Sequence, residues 1–230
     1  TTLFRSDFTL TLGTPTEVTL LYTHQEDDNI PQYGVPYALN AFNDGPIVGV
    51  DPSSYFGYRN IDRQEIPYDS ASAIIEHEFS QNLRVRNLTR WEQVPQLSIV
   101  DPPQGTICDA NGVNPFTGAA CAPAGTYQPS GPRGNVRDTD NEILVNQTDL
   151  MASFDTGALR HTLDVGLSVS RETYHIDSGN VLRNPLGATP NPVLPVMDID
   201  DPDNFYSGPL NFIRTSFSDN EVENKALYFF

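Results

Sequence analysis

Histidines, cysteines and clustered carboxylates are the side chains with which this chain could do chemistry, and their spacing argues against most of it. His24, His77, His161 and His175 are scattered over four segments, and Glu76-His77-Glu78 lacks the second histidine four residues on that a zinc-protease helix needs. There is no Gly-x-Ser-x-Gly elbow and no phosphate-binding glycine loop. Asp198, Asp200, Asp201 and Asp203 could crowd a calcium ion, but Pro202 interrupts the run and the required glycine is missing, so a solvated acidic loop is the better reading. Asn87-Leu88-Thr89 and Asn146-Gln147-Thr148 match a glycosylation sequon inside strand-like segments and are taken as chance. No acid/base pair and no nucleophile with a base can be assembled. The expectation is a non-enzyme without a resident cofactor or metal.

Recognition chemistry is better represented. Tyr33, Tyr37, Phe42, Tyr55, Phe56, Tyr58 and Tyr68 crowd one long segment together with Arg59 and Arg63. Aromatic faces and guanidinium groups suit a flat, anionic ligand, although self-packing of a long loop accounts for the aromatics equally well. The net charge of −17 and pI near 4.3 exclude a counterion-release binder of nucleic acid. No apolar run approaches the roughly 18 residues of a spanning helix, which leaves a membrane β-barrel open because its strands alternate.

The elements that must position these residues are strands. In His161–Arg171, Leu163, Val165, Leu167 and Val169 fall on one face and Thr162, Asp164, Gly166, Ser168 and Ser170 on the other. Arg84–Trp91, Thr16–Gln25 and the stretch Phe8, Leu10, Leu12 repeat the pattern. Ser70–Phe79 could also suit a helix and is read as a strand. Gly13-Thr14-Pro15, Ser80-Gln81-Asn82 and Thr156-Gly157-Ala158 are tight hairpin joints, whereas the connections 26–68, 95–140 and 177–209 are long. Structureless loops of that length are uncommon in compact soluble domains, and short joints alternating with long ones are what an outer-membrane barrel expects. The long loops carry −11 of the −17 charge. Strands at 3–12, 16–25, 69–79, 83–94, 141–155, 159–176 and from about 212 make seven, an odd number ending mid-strand at Phe230, so a piece of a larger barrel is inferred.

Several runs resemble the barrel of TonB-dependent siderophore receptors: Leu12-Gly13-Thr14-Pro15-Thr16 leading into Val18-Thr19-Leu20-Leu21-Tyr22, Asp28-Asn29-Ile30-Pro31 with Tyr33-Gly34-Val35-Pro36, Asn146-Gln147-Thr148-Asp149-Leu150, Phe154-Asp155-Thr156-Gly157, and Glu223-Asn224-Lys225. The resemblance implies an all-β, antiparallel transmembrane barrel segment, about seven strands of a 22-stranded barrel forming one barrel domain over residues 1–230. The family's plug and TonB-contacting segment are not found in it, and Ser168 stands where the family often has an acid. Also implied are an outer-membrane location, lipid around the barrel, energy-coupled uptake of a ferric siderophore, and iron that arrives already chelated. In that setting ligand contact is expected from Tyr33, Tyr37, Tyr55, Tyr58 and Arg59, with Trp91 and lumen-facing Arg90 below, against a loop charge of −5 that opposes an anion. Phe79, Phe154, Tyr22, Trp91 and Tyr174 suit aromatic girdles. Cys108 and Cys121, 13 apart in a loop-rich exported setting, favour a disulfide over two free thiols, with zinc weaker still. The competing class is a secreted or surface β-rich binding module for a glycan or protein. In a barrel Val18, Leu20, Leu163, Val165, Leu167 and Val169 face lipid; in a sandwich they pack against a second sheet.

Overall fold

The computed structural model describes residues 2–11, 13–130 and 133–230; Leu12, the last residue of the expected first strand, lies outside them. In chain order the strands are β1 (Thr2–Thr11), β2 (Thr16–Asn29), β3 (Tyr37–Leu39), β4 (Asp44–Pro46), β5 (Arg63–Ser80), β6 (Leu83–Gln93), β7 (Gln96–Val100), β8 (Gly105–Cys108), β9 (Thr126–Pro129), β10 (Arg133–Thr156), β11 (Leu159–Leu182), β12 (Met197–Asp198) and β13 (Ile213–Phe229). The main sheet is antiparallel in the order β1-β2-β5-β6-β10-β11-β13, and β7 pairs with both β5 and β10. Strands β6 and β7 are therefore two halves of one sheet position, split at Pro95, which has no N–H for the ladder. The seven expected strands occupy seven positions, and β1 and β13 are open edges.

The three tight joints share one end of the sheet, since Thr16 stands opposite His77 and Leu83 opposite both Ser80 and Ala152. Ser70–Phe79 is strand, hydrogen-bonded to β2 on one side and β6 on the other. The strands run further into the expected loops than alternation suggested: β10 begins at Arg133 and β11 continues to Leu182. Above the band both faces of these strands are polar, so the alternation vanishes while the backbone ladder continues.

Register sorts the side chains into two faces. On the outer face Val18 lies beside Leu10 and Ile75, and Leu150 lies between Val85 and Val165. Leu20, Leu167 and Phe229 are 45%, 50% and 78% exposed, with no second sheet over them. Ten steps from Phe154 to Leu144, at about 3.3 Å each and a tilt near 40°, span about 25 Å, the height of a barrel's outward band; Asn87, Thr89, Asn146 and Thr148 interrupt its apolar surface with an interstrand cluster in which Asn87 Nδ2 donates to Thr148 Oγ1 at 2.7 Å and Asn146 Nδ2 to Thr89 Oγ1 at 2.8 Å. Near the turn end Phe154 stacks on His161 and Phe79 packs edge-on to His77, as a girdle does. Tyr174 departs from the girdle expectation: it pairs with Asn141 and faces inward.

The buried core sits in the loops instead of the sheet. Ile47, Phe56 and Tyr58 of the first loop, Ile107 and Tyr127 of the second, and Leu194, Met197, Ile199 and Tyr206 of the third pack over Ile99, Val136 and Leu182 at the strand tops. Each fully buried side chain of this size contributes about 1.5–3 kcal/mol, which makes the three loops one cap. A small sheet, β8-β9-β12, joins the second loop to the third.

Candidate functional site

Beneath the cap, on the inner face, the wall encloses a hollow of about 790 Å³. Its lining comes from alternate residues of neighbouring strands: Gln64 of β5, Gln96 and Ser98 of β7, Arg137 and Thr139 of β10, and Tyr174 of β11, with Tyr33 reaching in from the first loop. In register Arg137 stands between Ser98 and Ser178, two short side chains that leave the guanidinium room to reach into the hollow. Asn135, one inner position away, is fixed by a hydrogen bond from Asn180 Nδ2 to its Oδ1 at 2.8 Å. Amides, hydroxyls, two phenols and one cation can donate hydrogen bonds to a ligand here, and among the described residues no carboxylate lines the space.

The expected contact residues fall into different places. Tyr33 is on the hollow and 56% exposed. Tyr37 belongs to the β3-β4 ribbon and is equally exposed at the rim. Arg90 faces the lumen and is ion-paired with Glu92, which also accepts a hydrogen bond from Tyr68. Trp91 cannot share that direction, because neighbours along a strand point to opposite faces. It sits on the outer face between Ala71 and Leu144, which suits its girdle reading and removes it from the lumen. Tyr55 and Tyr58 are buried in the cap and are reassigned to packing: Tyr58 is fully buried with its ring 5.4 Å from that of Tyr206, and Arg59 lies 5.3 Å over the Tyr55 ring.

These tyrosines surround a buried ionic cluster that fastens the cap to the strands. Asp62 Oδ2 accepts hydrogen bonds from the Tyr55 hydroxyl at 2.5 Å and the Tyr58 N–H at 3.1 Å. An added Cβ on Gly57 would come within 2.0 Å of Asp62 Oδ2, so only glycine allows this approach. Asp101 Oδ1 meets Arg133 Nε at 3.1 Å and accepts the Gly134 N–H at 2.7 Å, and Arg133 Nη1 donates to the Pro102 carbonyl. Gly134 has φ +65°, and an added Cβ there would come within 2.4 Å of Val181 Cγ1, so the start of β10 requires glycine beside Arg133. Burial first, and then the charge of neighbouring Asp101, pushes the Asp62 carboxyl up to about 8. Burial likewise raises Tyr55, Tyr58, Tyr127 and Tyr206 above the usual phenol range. The disulfide is formed as expected: Cys108 and Cys121 are joined at an S–S distance of 2.08 Å.

Arg137 and Tyr174 were missed by sequence reasoning, Arg137 because it fell within an expected loop and Tyr174 because it was placed in a girdle. The polar alternation Asn135, Arg137, Thr139, Asn141, in register with Gln147 and Asp149 on the same strand face, was the available signal.

An open antiparallel sheet with a largely apolar outer face, a polar inner face, short turns at one end and packed loops at the other is a section of outer-membrane β-barrel wall. Its relatives are specific: the chain is a homologue of TonB-dependent siderophore receptors, matching a portion of their barrels. It is 30% identical over 175 residues, 70% of its length, to the catecholate siderophore receptor Fiu of Escherichia coli, and 29% identical over 163 residues to the probable TonB-dependent receptor BfrD of Bordetella pertussis. The probable TonB-dependent siderophore receptor PiuA of Acinetobacter baumannii is 26% identical over 166 residues. The chain spans about a fifth of the length of these curated relatives. In structure, 99% of the chain superposes on 33% of the open form of Fiu from E. coli K12 with TM-score 0.70 and 25% identity. FpvA of P. aeruginosa, at 15% identity and TM-score 0.66, shares the fold. No protein-family model matches the chain.

Proposed function

We propose that this chain is part of the barrel domain of an outer-membrane receptor that takes up a ferric siderophore, with plug and TonB contact supplied by other parts of the receptor. The carrying observation is the acid-free hollow on the inner wall beneath a rigid loop cap, in a chain otherwise dominated by acids. The relatives named as catecholate and siderophore receptors support the ligand class. The cap end faces outward, and Tyr33, Tyr37, Arg59 and Arg90 offer contacts along the ligand's path, while Tyr55 and Tyr58 act by holding the loops. Iron is cargo within its chelate; the protein binds and passes it without catalysis or a cofactor of its own. The apolar band is for lipid, and nucleic acid has no basic surface to meet. The soluble binding-module reading loses support because the residues on its required sheet interface stand uncovered.

Uptake of radiolabelled ferric catecholate by iron-starved cells carrying or lacking the intact receptor tests the proposal. Receptor-dependent uptake abolished by deleting TonB is expected. Equal uptake in both strains for catecholate and other siderophores refutes it.

A further inference from the structure

Buried carboxyl groups need hydrogen-bond partners, and the cap holds two that supply each other. Among the described residues Asp62, Asp101, Asp109 and Asp149 are the buried aspartates, and of these only Asp62 and Asp101 leave an enclosed oxygen without a donor, Oδ1 of the one and Oδ2 of the other. Their other oxygens are taken: Asp62 Oδ2 by the Tyr55 hydroxyl and the Tyr58 N–H, Asp101 Oδ1 by the Gly134 N–H and Arg133. The two side chains hydrogen-bond to each other, and two carboxyl groups can do so only with a proton between them. One shared proton serves both leftover oxygens. The other titratable and charged groups around it are Tyr55, Tyr58 and Arg59 of the first loop, Tyr127 of β9, Arg133 of β10 and Tyr206 of the third loop.

This pair stands at the rim of the hollow. Asp101 lies between Val100 and Pro102, which line the hollow, and Arg133 Nη1 donates to the Pro102 carbonyl at 2.7 Å. Asp62 comes two residues before Gln64 of the same lining, where the first loop enters β5. The first loop is in turn tied to the third: Asn60 Nδ2 donates to the Tyr206 carbonyl at 2.8 Å, Asn60 Oδ1 accepts the Tyr206 N–H at 3.0 Å, and the Arg59 N–H donates to the Asn204 carbonyl at 2.9 Å. We propose that the proton shared by Asp62 and Asp101 is the latch of a lid: while it is present the first and third loops stay closed over the hollow, and when it leaves they swing away together and admit solutes from outside. Removing the proton leaves two negative groups facing each other in an enclosed space, where they repel and neither is hydrated. Opening becomes progressively easier as pH rises towards about 8, the value to which burial and Asp101 push Asp62. The latch acts on access, and so applies to any ligand of the hollow.

The test reads access without a siderophore, so its failure and the failure of the uptake reading are told apart. Ser98→Cys places a thiol in the hollow, and Val193→Cys places one on the outside of the third loop, where the native side chain is 91% exposed. Each is made in the intact receptor with Asp62 native, Asp62→Asn or Asp62→Ala, reconstituted in proteoliposomes and treated from outside with an impermeant trimethylammonium methanethiosulfonate. Dividing the labelling rate at position 98 by that at position 193 removes the thiol's own pH dependence. With Asp62 native the ratio is expected to rise about tenfold per pH unit from 6 to 7.5, since each opening releases one proton. Asp62→Asn, whose amide can donate to Asp101 in place of the proton, should keep the ratio low and level; Asp62→Ala should keep it high and level. A native ratio that does not change with pH, a slope that survives in Asp62→Asn, or a ratio near one at every pH overturns the proposal. Should Asp62→Ala fail to fold, the contrast between native Asp62 and Asp62→Asn decides alone.

Discussion

The buried carboxyl of Asp62 makes the cap proton-dependent, and the size of that dependence can be worked out. An aspartate in an opened cap releases its proton near pH 4, whereas burial and Asp101 hold Asp62 protonated up to about 8. Between those values opening the cap releases one proton, so each pH unit favours opening about tenfold, or about 1.4 kcal/mol. The stabilisation from this group is complete below about pH 4, is lost as pH rises through about 8, and amounts to roughly 5 kcal/mol over the span. Tyr55, Tyr58, Tyr127 and Tyr206 stay neutral throughout because their pKa values are raised. Asp62→Asn keeps an acceptor for the Tyr55 hydroxyl and the Tyr58 N–H but has no proton to release. Hydrogen exchange of the intact receptor in detergent, corrected for the intrinsic rate, reads the opening of segments 47–61 and 194–206. Protection should fall about tenfold per unit from pH 6 to 8 in the wild type and stay level in Asp62→Asn. A level wild-type profile, or a slope that survives in Asp62→Asn, would refute the reasoning.

Leu167→Arg, placed on the bilayer face, should destabilise the folded barrel by about 2–4 kcal/mol in urea unfolding from lipid, while Ser168→Arg, its lumen-facing neighbour, should cost far less. Replacing Cys108 and Cys121 by serine should weaken the cap by about 3 kcal/mol from the loop of 13 residues alone, seen as faster proteolysis within 105–129 and an unaltered barrel. Gly166→Ala would place a Cβ 2.1 Å from the Tyr228 ring, which Gln147 holds by a 2.8 Å hydrogen bond to its hydroxyl. A loss of about 1–3 kcal/mol in the same unfolding assay is expected, and Tyr228→Ala in the same chain should relieve the clash.

The strands of the outward band, their inward and outward faces, the three tight joints and the position of the disulfide were legible from the residues alone. These are local facts: a period of two assigns faces, Gly13 and Gly157 with positive φ close their turns, and two cysteines have one pairing. The remainder follows from contacts between distant segments. Tyr33 and Tyr58 come from one loop of uniform composition, yet one is 56% exposed and the other fully buried, because Tyr206 and Tyr127, more than 65 residues away, cover only the second. The hollow draws on β5, β7, β10 and β11 and on the first loop, and Arg137 lines it between two serines because of cross-strand register, with Asp138 and Asp140 on the other face. Cross-strand register and loop packing depend on partners distant in sequence, which no local pattern encodes.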